Sequence, residues 1–170
     1  MSVDAAAFRR ALGQFATGVT VVLTRAADGR RLGLTANAFC SVSLEPPMVL
    51  VCVGRRSEAH AGFVESGRFG VSVLAEGQED VSRRFAARGP ERFEGFELEE
   101  GPHGSPLVPG ALARLECRVT AAHEAGDHVI YVGEVLAADS APGAPLVYHA
   151  SGYVRLASGE EGGGAPRDRV

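Results

Sequence analysis

Short apolar, β-branched runs separated by Gly, Pro and Asp dominate the pattern along this chain, and they predict strands. Thr17 to Arg25 reads Thr-Gly-Val-Thr-Val-Val-Leu-Thr-Arg, rich in residues that fit a pleated surface. Asp28-Gly29 is a hairpin signal that returns the chain into a second strand around Arg31 to Thr35. Ala38 to Ser43 alternates as a third strand, and Glu45-Pro46-Pro47 stops it because proline donates nothing to a ladder. Met48 to Val53 is wholly apolar, the pattern of a strand buried on both faces. Phe69 to Leu74 is a further strand. Leu112 to Ala122 and Val129 to Ala138 form a long antiparallel pair joined through Glu124-Ala125-Gly126-Asp127, and Leu146 to His149 and Tyr153 to Leu156 are short final strands.

Three segments read as helices. Asp4 caps one from Ala5 to about Phe15, with Phe8, Leu12 and Phe15 at helical spacing. Ser57 caps one from Glu58 to Ser66 with Gly67 as its stop, and Glu79 to Ala87 is the third. Gly89 to Pro109 is a polar, Gly- and Pro-rich loop that covers something, and the Gly-rich segment 157–170 reads as a disordered tail. With no βαβ alternation, no repeat and no second boundary, residues 1–156 form one mainly β domain, a closed antiparallel barrel with short helices on its rim.

Composition narrows the function. The net charge of −4 offers no general attraction to nucleic acid. No apolar run reaches the ~18 residues a membrane span needs, and the N-terminus lacks the apolar core of a secretion signal, so a cytoplasmic protein is expected. All 17 basic residues are Arg, which removes Schiff-base chemistry and the P-loop lysine and leaves anions to Arg, hydroxyls and backbone N–H groups. Cys40, Cys52 and Cys117 are far apart within apolar stretches and read as buried free thiols. There is no Gly-x-Gly-x-x-Gly after a strand and no Gly-x-Ser-x-Gly elbow. His123-Glu124 and His128 sit on a turn with the wrong spacing for a helical zinc site, and no metal is expected.

Five segments carry the chemistry: Phe15-Ala-Thr-Gly-Val-Thr-Val-Val, Gly33-Leu-Thr-Ala-Asn-Ala-Phe, Ser41-Val-Ser-Leu-Glu-Pro-Pro-Met-Val-Leu, Gly126-Asp-His and Tyr148-His-Ala-Ser-Gly-Tyr. In this order and spacing, from about Phe8 to Leu156, the chain resembles the flavin reductase-like family of FMN-binding split barrels, the small reductases of two-component flavin monooxygenases. The resemblance implies an antiparallel split β-barrel. It also implies an NAD(P)H:flavin oxidoreductase that reduces FMN or FAD with NADH or NADPH, a homodimer, and a partner monooxygenase that receives reduced flavin. A flavin-binding module without turnover, or a flavin-dependent oxidoreductase acting directly on a biosynthetic substrate, are the other readings.

An isoalloxazine needs an apolar slot, polar groups at its edges and one open face. Thr35-Ala36-Asn37-Ala38 offers small side chains and exposed backbone, with Thr35 and Asn37 able to bond the ring edge or ribityl chain; the same residues suit a plain strand end. Ser41 and Ser43, flanking Val42, lie two apart and would share one side of a strand. By resemblance this segment lines the flavin, although two serines on a solvated face are ordinary. Cys52-Val53-Gly54-Arg55-Arg56-Ser57 leaves a strand, turns at Gly54 and enters a helix, and a helix N-terminus beside Arg is a ready anion site. The resemblance places the flavin phosphate there; the alternative is a capped surface helix with a solvated Arg pair. Many relatives carry a Ser or Thr run where this chain has Arg55-Arg56-Ser57-Glu58, which leaves FMN and FAD both open, and Glu58 would repel a phosphate set too near it. Phe85 is either a flavin contact or core. His128 lies by resemblance near flavin and nicotinamide, where its imidazole is the candidate catalytic group. Tyr148, Gly152 and Tyr153 either shape the nicotinamide pocket or close a hairpin.

Overall fold

The computed structural model describes residues 3–157 of the chain. The tail expected over 157–170 lies, from Ser158 onward, outside the described residues. Helix α1 (Ala5–Leu12) starts where Asp4 accepts the Ala7 N–H at 3.3 Å and stops at Gly13, whose own N–H bonds Arg9 O; it therefore ends short of the expected Phe15. Strands β1 (Thr17–Gly18) and β2 (Thr20–Arg25) divide the predicted first strand at Val19. Val19 N–H bonds Leu146 O while its carbonyl accepts from Leu74, so the backbone changes sheets at that residue.

Strand β3 (Arg31–Ala36) returns from β2 through the Asp28-Gly29 turn, where Gly29 holds φ at 84°. Next come β4 (Phe39–Leu44), β5 (Pro47–Gly54), α2 (Ala59–Ser66), β6 (Arg68–Val73) and α3 (Glu79–Ala86). Gly67 ends α2 at φ 62°, as its place in the sequence predicts. The Gly-Pro loop contains a 3₁₀ turn (Pro90–Phe93) and the short strands β7 (Glu99–Glu100) and β8 (Pro106–Leu107). The long pair β9 (Ala113–Ala125) and β10 (His128–Ser140) follows, and β11 (Val147–His149) and β12 (Gly152–Val154) finish the described chain.

One antiparallel sheet of seven strands runs β3-β2-β6-β9-β10-β5-β4, and β1, β11 and β12 make a second, smaller sheet. The molecule is thus mainly β with few helices. The expected closed barrel is corrected: the edge strands β3 and β4 do not pair. Only Asn37 and Ala38 link them, and neither takes the positive φ that a tight hairpin turn requires.

Two apolar clusters fill the molecule. One, under α2, joins Val22, Val51, Val53, Phe63, Phe69, Cys117 and Tyr131; the other, under α3, joins Val21, Leu74, Val81, Phe85, Val108 and Leu146. Strand β5 is not buried on both faces as its composition predicts. Val49, Val51 and Val53 face the core, while Met48, Leu50 and Cys52 are only half-buried on the other side. The thiols are free, but only Cys117 is buried; Cys52 is half-buried and Cys40 lies exposed on the edge strand β4. Burial, aided by the neighbouring Glu116 charge, pushes the Cys117 thiol up to about 12.

Candidate active site

A cleft of about 760 Å³ opens where β3, the β5–α2 turn, the end of α3 and the β9–β10 turn meet. Its apolar wall is Leu34 from β3 with Phe85, Ala86 and Ala87 from α3 and its exit. Phe85 is almost wholly buried and is gripped edge-on by Phe93 and Phe96, both at 5.4 Å between ring centres, so this wall is rigid. Thr35 donates its hydroxyl to Ser82 O at 2.6 Å, tying β3 to α3. The Ser82 hydroxyl in turn meets the Tyr153 hydroxyl at 2.8 Å. A second cavity of about 420 Å³, bordered by Tyr148, Gly152, Tyr153 and Arg83, adjoins the cleft because Ala86 and Ala87 border both.

The cleft is also charged. It is lined by Arg55 and Arg56 on the turn from Gly54 to α2 and by Arg88 and Arg92 beyond α3, together with Glu58 and Asp127. Two bonds hold this turn, Ser57 N–H to Gly54 O at 2.9 Å and Arg55 N–H to Asp127 O at 3.0 Å. Arg55 reaches out to Glu124 at 2.8 Å. Arg92, with a side chain only 6% exposed, bonds Glu58 at 2.9 Å and Ala87 O at 2.9 Å. Among the described residues Arg56 and Arg88 have no ion-pair partner, which leaves them to meet an anion. Sequence reasoning missed Leu34, Ala86, Ala87, Arg88 and Arg92 at this site; nothing local marks the last, an arginine whose carboxylate partner lies 34 residues away.

His128 opens β10 directly opposite Gly54 on β5, and an ideal Cβ on Gly54 would lie 3.8 Å from its Nε2, so the ring rests against the turn. Its Nδ1 meets the Asp127 carboxylate at 2.7 Å. That hydrogen bond holds the Asp127 carboxyl below the ordinary carboxylate range, helped by the charges of His128 and Arg56. An ionised Asp127 only accepts, so Nδ1 carries the proton of this bond, and Nε2 lies on the side of Gly54, which lines the cleft.

Residues 12–157 match the family described as flavin reductase like domain, nearly the whole described chain. The chain belongs to the flavin reductase-like family. Its relatives include the FMN reductase (NADH) SmoA of Agrobacterium fabrum, 45% identical over 88% of this chain and 84% of that protein. The reductase subunit HsaB of a flavin-dependent monooxygenase from Mycobacterium tuberculosis is 38% identical over 91% of this chain and 83% of its own length. The NADH:FAD oxidoreductase SgcE6 of Streptomyces globisporus, solved with NAD and FAD fragments, superposes with a TM-score of 0.86 at 39% identity, covering 91% of this chain and 94% of that one.

The cleft of this flavin reductase-like chain suits a flavin. Leu34, Ala86 and Ala87, backed by the buried Phe85, offer apolar surface for a tricyclic ring, and Arg56 and Arg88, without ion-pair partners among the described residues, line the same cleft. Of the residues expected at the site, Thr35, Gly54, Arg55, Arg56, Ser57, Phe85 and His128 come together in the cleft. Tyr148, Gly152 and Tyr153 line the adjoining cavity. The others do not line either. Ala36 and Val53 are buried in the core, Cys52 is half-buried on the outer face of β5, and Asn37, Ala38, Ser41 and Val42 are exposed. Ser41 and Ser43 do not share a side as their spacing predicts. A bulge at Val42 pairs Ser41 with Val49 and Ser43 with the adjacent Met48, whose side chains point to opposite faces.

Proposed function

We propose that this chain is an NADH-dependent flavin reductase that hands reduced flavin to a partner monooxygenase. The observation carrying it is one cleft lined by an apolar wall, by two arginines without ion-pair partners among the described residues, and by an imidazole bonded to Asp127. The NADH-linked names of the relatives and the reductase-subunit role named for HsaB favour NADH over NADPH and a monooxygenase partner. A bound flavin supplies the two-electron acceptor for the nicotinamide. The chain's own groups do the rest. Phe85 with Ala86 and Ala87 holds one ring face and excludes water, Arg56 and Arg88 hold the phosphate, and Tyr148, Gly152 and Tyr153 seat the nicotinamide end beside it. His128 Nε2 meets the carboxamide or the developing charge on the ring. Ala36, Asn37, Ala38, Ser41, Val42, Ser43, Cys52 and Val53 belong to the supporting shell of this site, through backbone and packing.

The test is NADH oxidation with added FMN or FAD: fast, flavin-dependent turnover is expected, and stoichiometric flavin without turnover counts against the reading. Arg56→Ala should weaken flavin binding roughly tenfold, less so at high salt, as for one charge-assisted contact. Unchanged affinity in calorimetry removes the phosphate from this turn.

The same reading takes residues 1–156 as one split-barrel domain acting in the cytoplasm. Support for the barrel is that α2, β2, β3, β5, β6, β9 and β10 share one core, with β3 drawing near β5 across the unpaired edge. No helix among the described residues is long and apolar enough to cross a membrane. The chain acts as a homodimer: Phe8, Leu12 and Phe15 near the N-terminus, and Val42 and Leu44 on β4, are all exposed and supply apolar surface for a second copy to cover. Sedimentation should give twice the chain mass, and a monomer at micromolar concentration counts against it.

A further inference from the structure

The hairpin β11–β12 borders the cavity next to the cleft, yet it belongs to the small sheet and not to the seven-stranded one. Its turn is Ala150-Ser151, with φ at 47° and 67°, where two-residue turns of this hand ordinarily take Asn, Asp or Gly. A backbone so placed persists only where its surroundings hold it. Gly13 O accepts the Ala150 N–H at 2.8 Å, and Leu146, just ahead of the hairpin, packs into the cluster under α3. Neither contact fixes the side chains that line the cavity.

That task falls to Ser82. It lies fully buried on α3 and is bonded by two neighbours. Thr35, in the cleft, donates its hydroxyl to the Ser82 carbonyl at 2.6 Å, and Tyr153, in the adjoining cavity, meets the Ser82 hydroxyl at 2.8 Å. Among the described residues, no other side-chain hydrogen bond joins the hairpin to α3. The Tyr153 ring also has Tyr148 edge-on at 5.4 Å and the Arg83 guanidinium 5.1 Å from its centre, the latter held by Glu79 at 2.6 Å. Contacts on a ring's face and edge are broad, whereas a hydrogen bond is directional and fixes where the phenol ends.

Resting on the reading that this cavity seats the nicotinamide, we propose that Ser82 is a positioning residue for the coenzyme. Its hydroxyl fixes the Tyr153 ring and thereby the wall that NADH packs against. Its carbonyl, bonded to Thr35, ties the same turn of α3 to the flavin wall. The two roles separate by mutation. Ser82→Ala deletes the hydroxyl but keeps the carbonyl, and alanine favours a helix more than serine does, so the fold and the flavin wall survive.

The experiment is steady-state NADH oxidation at saturating flavin, with flavin titrations and thermal melts, on the full chain. Ser82→Ala and Tyr153→Phe are each expected to raise KM for NADH about fivefold, the scale of one hydrogen bond. Turnover at saturation and flavin affinity should stay within about twofold, and Tm within about 3 °C. The double variant should be no worse than either single one, because both remove the same bond. Gly152→Val tests the cavity itself. Apart from its chain neighbours, a Cβ there meets only His149 O, at 3.9 Å, so the variant folds and narrows the space, raising KM if the nicotinamide sits there. KM unchanged in Ser82→Ala but raised in Gly152→Val overturns the proposal and leaves the reading of the cavity intact. Additive losses in the double variant, or flavin affinity falling as far as NADH affinity, also overturn it. KM unchanged in every variant overturns both.

Discussion

His128→Ala is expected to lower kcat roughly 10²-fold, the scale on which a misplaced reacting pair loses rate, while flavin affinity stays within about threefold. The imidazole is fixed at both ends: β10 places it against Gly54, and Asp127 holds Nδ1 at 2.7 Å. It lines the cleft beside the turn that carries Arg55 and Arg56; as the group proposed to meet the nicotinamide or the reacting ring, its loss is expected to lower turnover more than flavin retention, which Arg56 and Arg88 carry. Asp127→Ala should fall between native and His128→Ala, because it frees the ring to rotate without removing it. The pairing has a defined pH window. The Asp127 carboxyl is held below its unfolded value, so the bond is present above the ordinary carboxylate range and fails only as pH falls through the lowered value. Steady-state kinetics beside flavin titration decide the matter: equal loss of both quantities, or loss of neither, removes His128 from the reacting geometry.

Glu116→Ala should cost about 3 kcal/mol, or roughly 10 °C in Tm for a domain of this size. Glu116 is 1% exposed and accepts the backbone N–H of His103 with both oxygens, at 2.9 and 3.1 Å, and that of Ser105 at 2.8 Å. Truncation strands those donors, and the bond to the Ser105 N–H is buried, where an unmet donor is costly. Gly101 packs so closely that any Cβ there would collide with the Glu116 side chain, so the loop is folded directly around this carboxylate. The damage extends toward the site, because Val108 at the end of this loop shares its cluster with Phe85. Glu134→Ala, which removes only the half-buried partner of the exposed Arg118, should shift Tm by no more than about 2 °C. A thermal melt of Glu116→Ala within 2 °C of native would sink the argument.

Where local chemistry is sufficient, the reading along the chain holds. Asp28-Gly29 turns, Gly67 stops α2, and the long pair β9–β10 pivots on Gly126 at φ 61°. Each depends on a residue's own φ/ψ freedom or on a side chain bonding its neighbours. The errors share another cause. Composition cannot say that one face of β5 packs the core while the other is covered only in part. A two-residue period assumes an unbroken ladder, and the bulge at Val42 breaks it. Cys40 sits in an apolar stretch but on an edge strand, where one side has no neighbour to bury it.

By itself the sequence determined the mainly β class, most strand and helix positions, the resemblance to flavin reductases, and seven of the residues that meet in the cleft. These follow from torsional preference, hydrophobic period and short motifs, all of which act over a few residues. Only the tertiary structure decided which arginines remain free. Arg55 is drawn away by Glu124 and Arg92 is consumed by Glu58, pairings that depend on strands and loops far apart in the chain coming together. Charge acts through space, so the electrostatics of a site are set by folding and are invisible to any window along the chain.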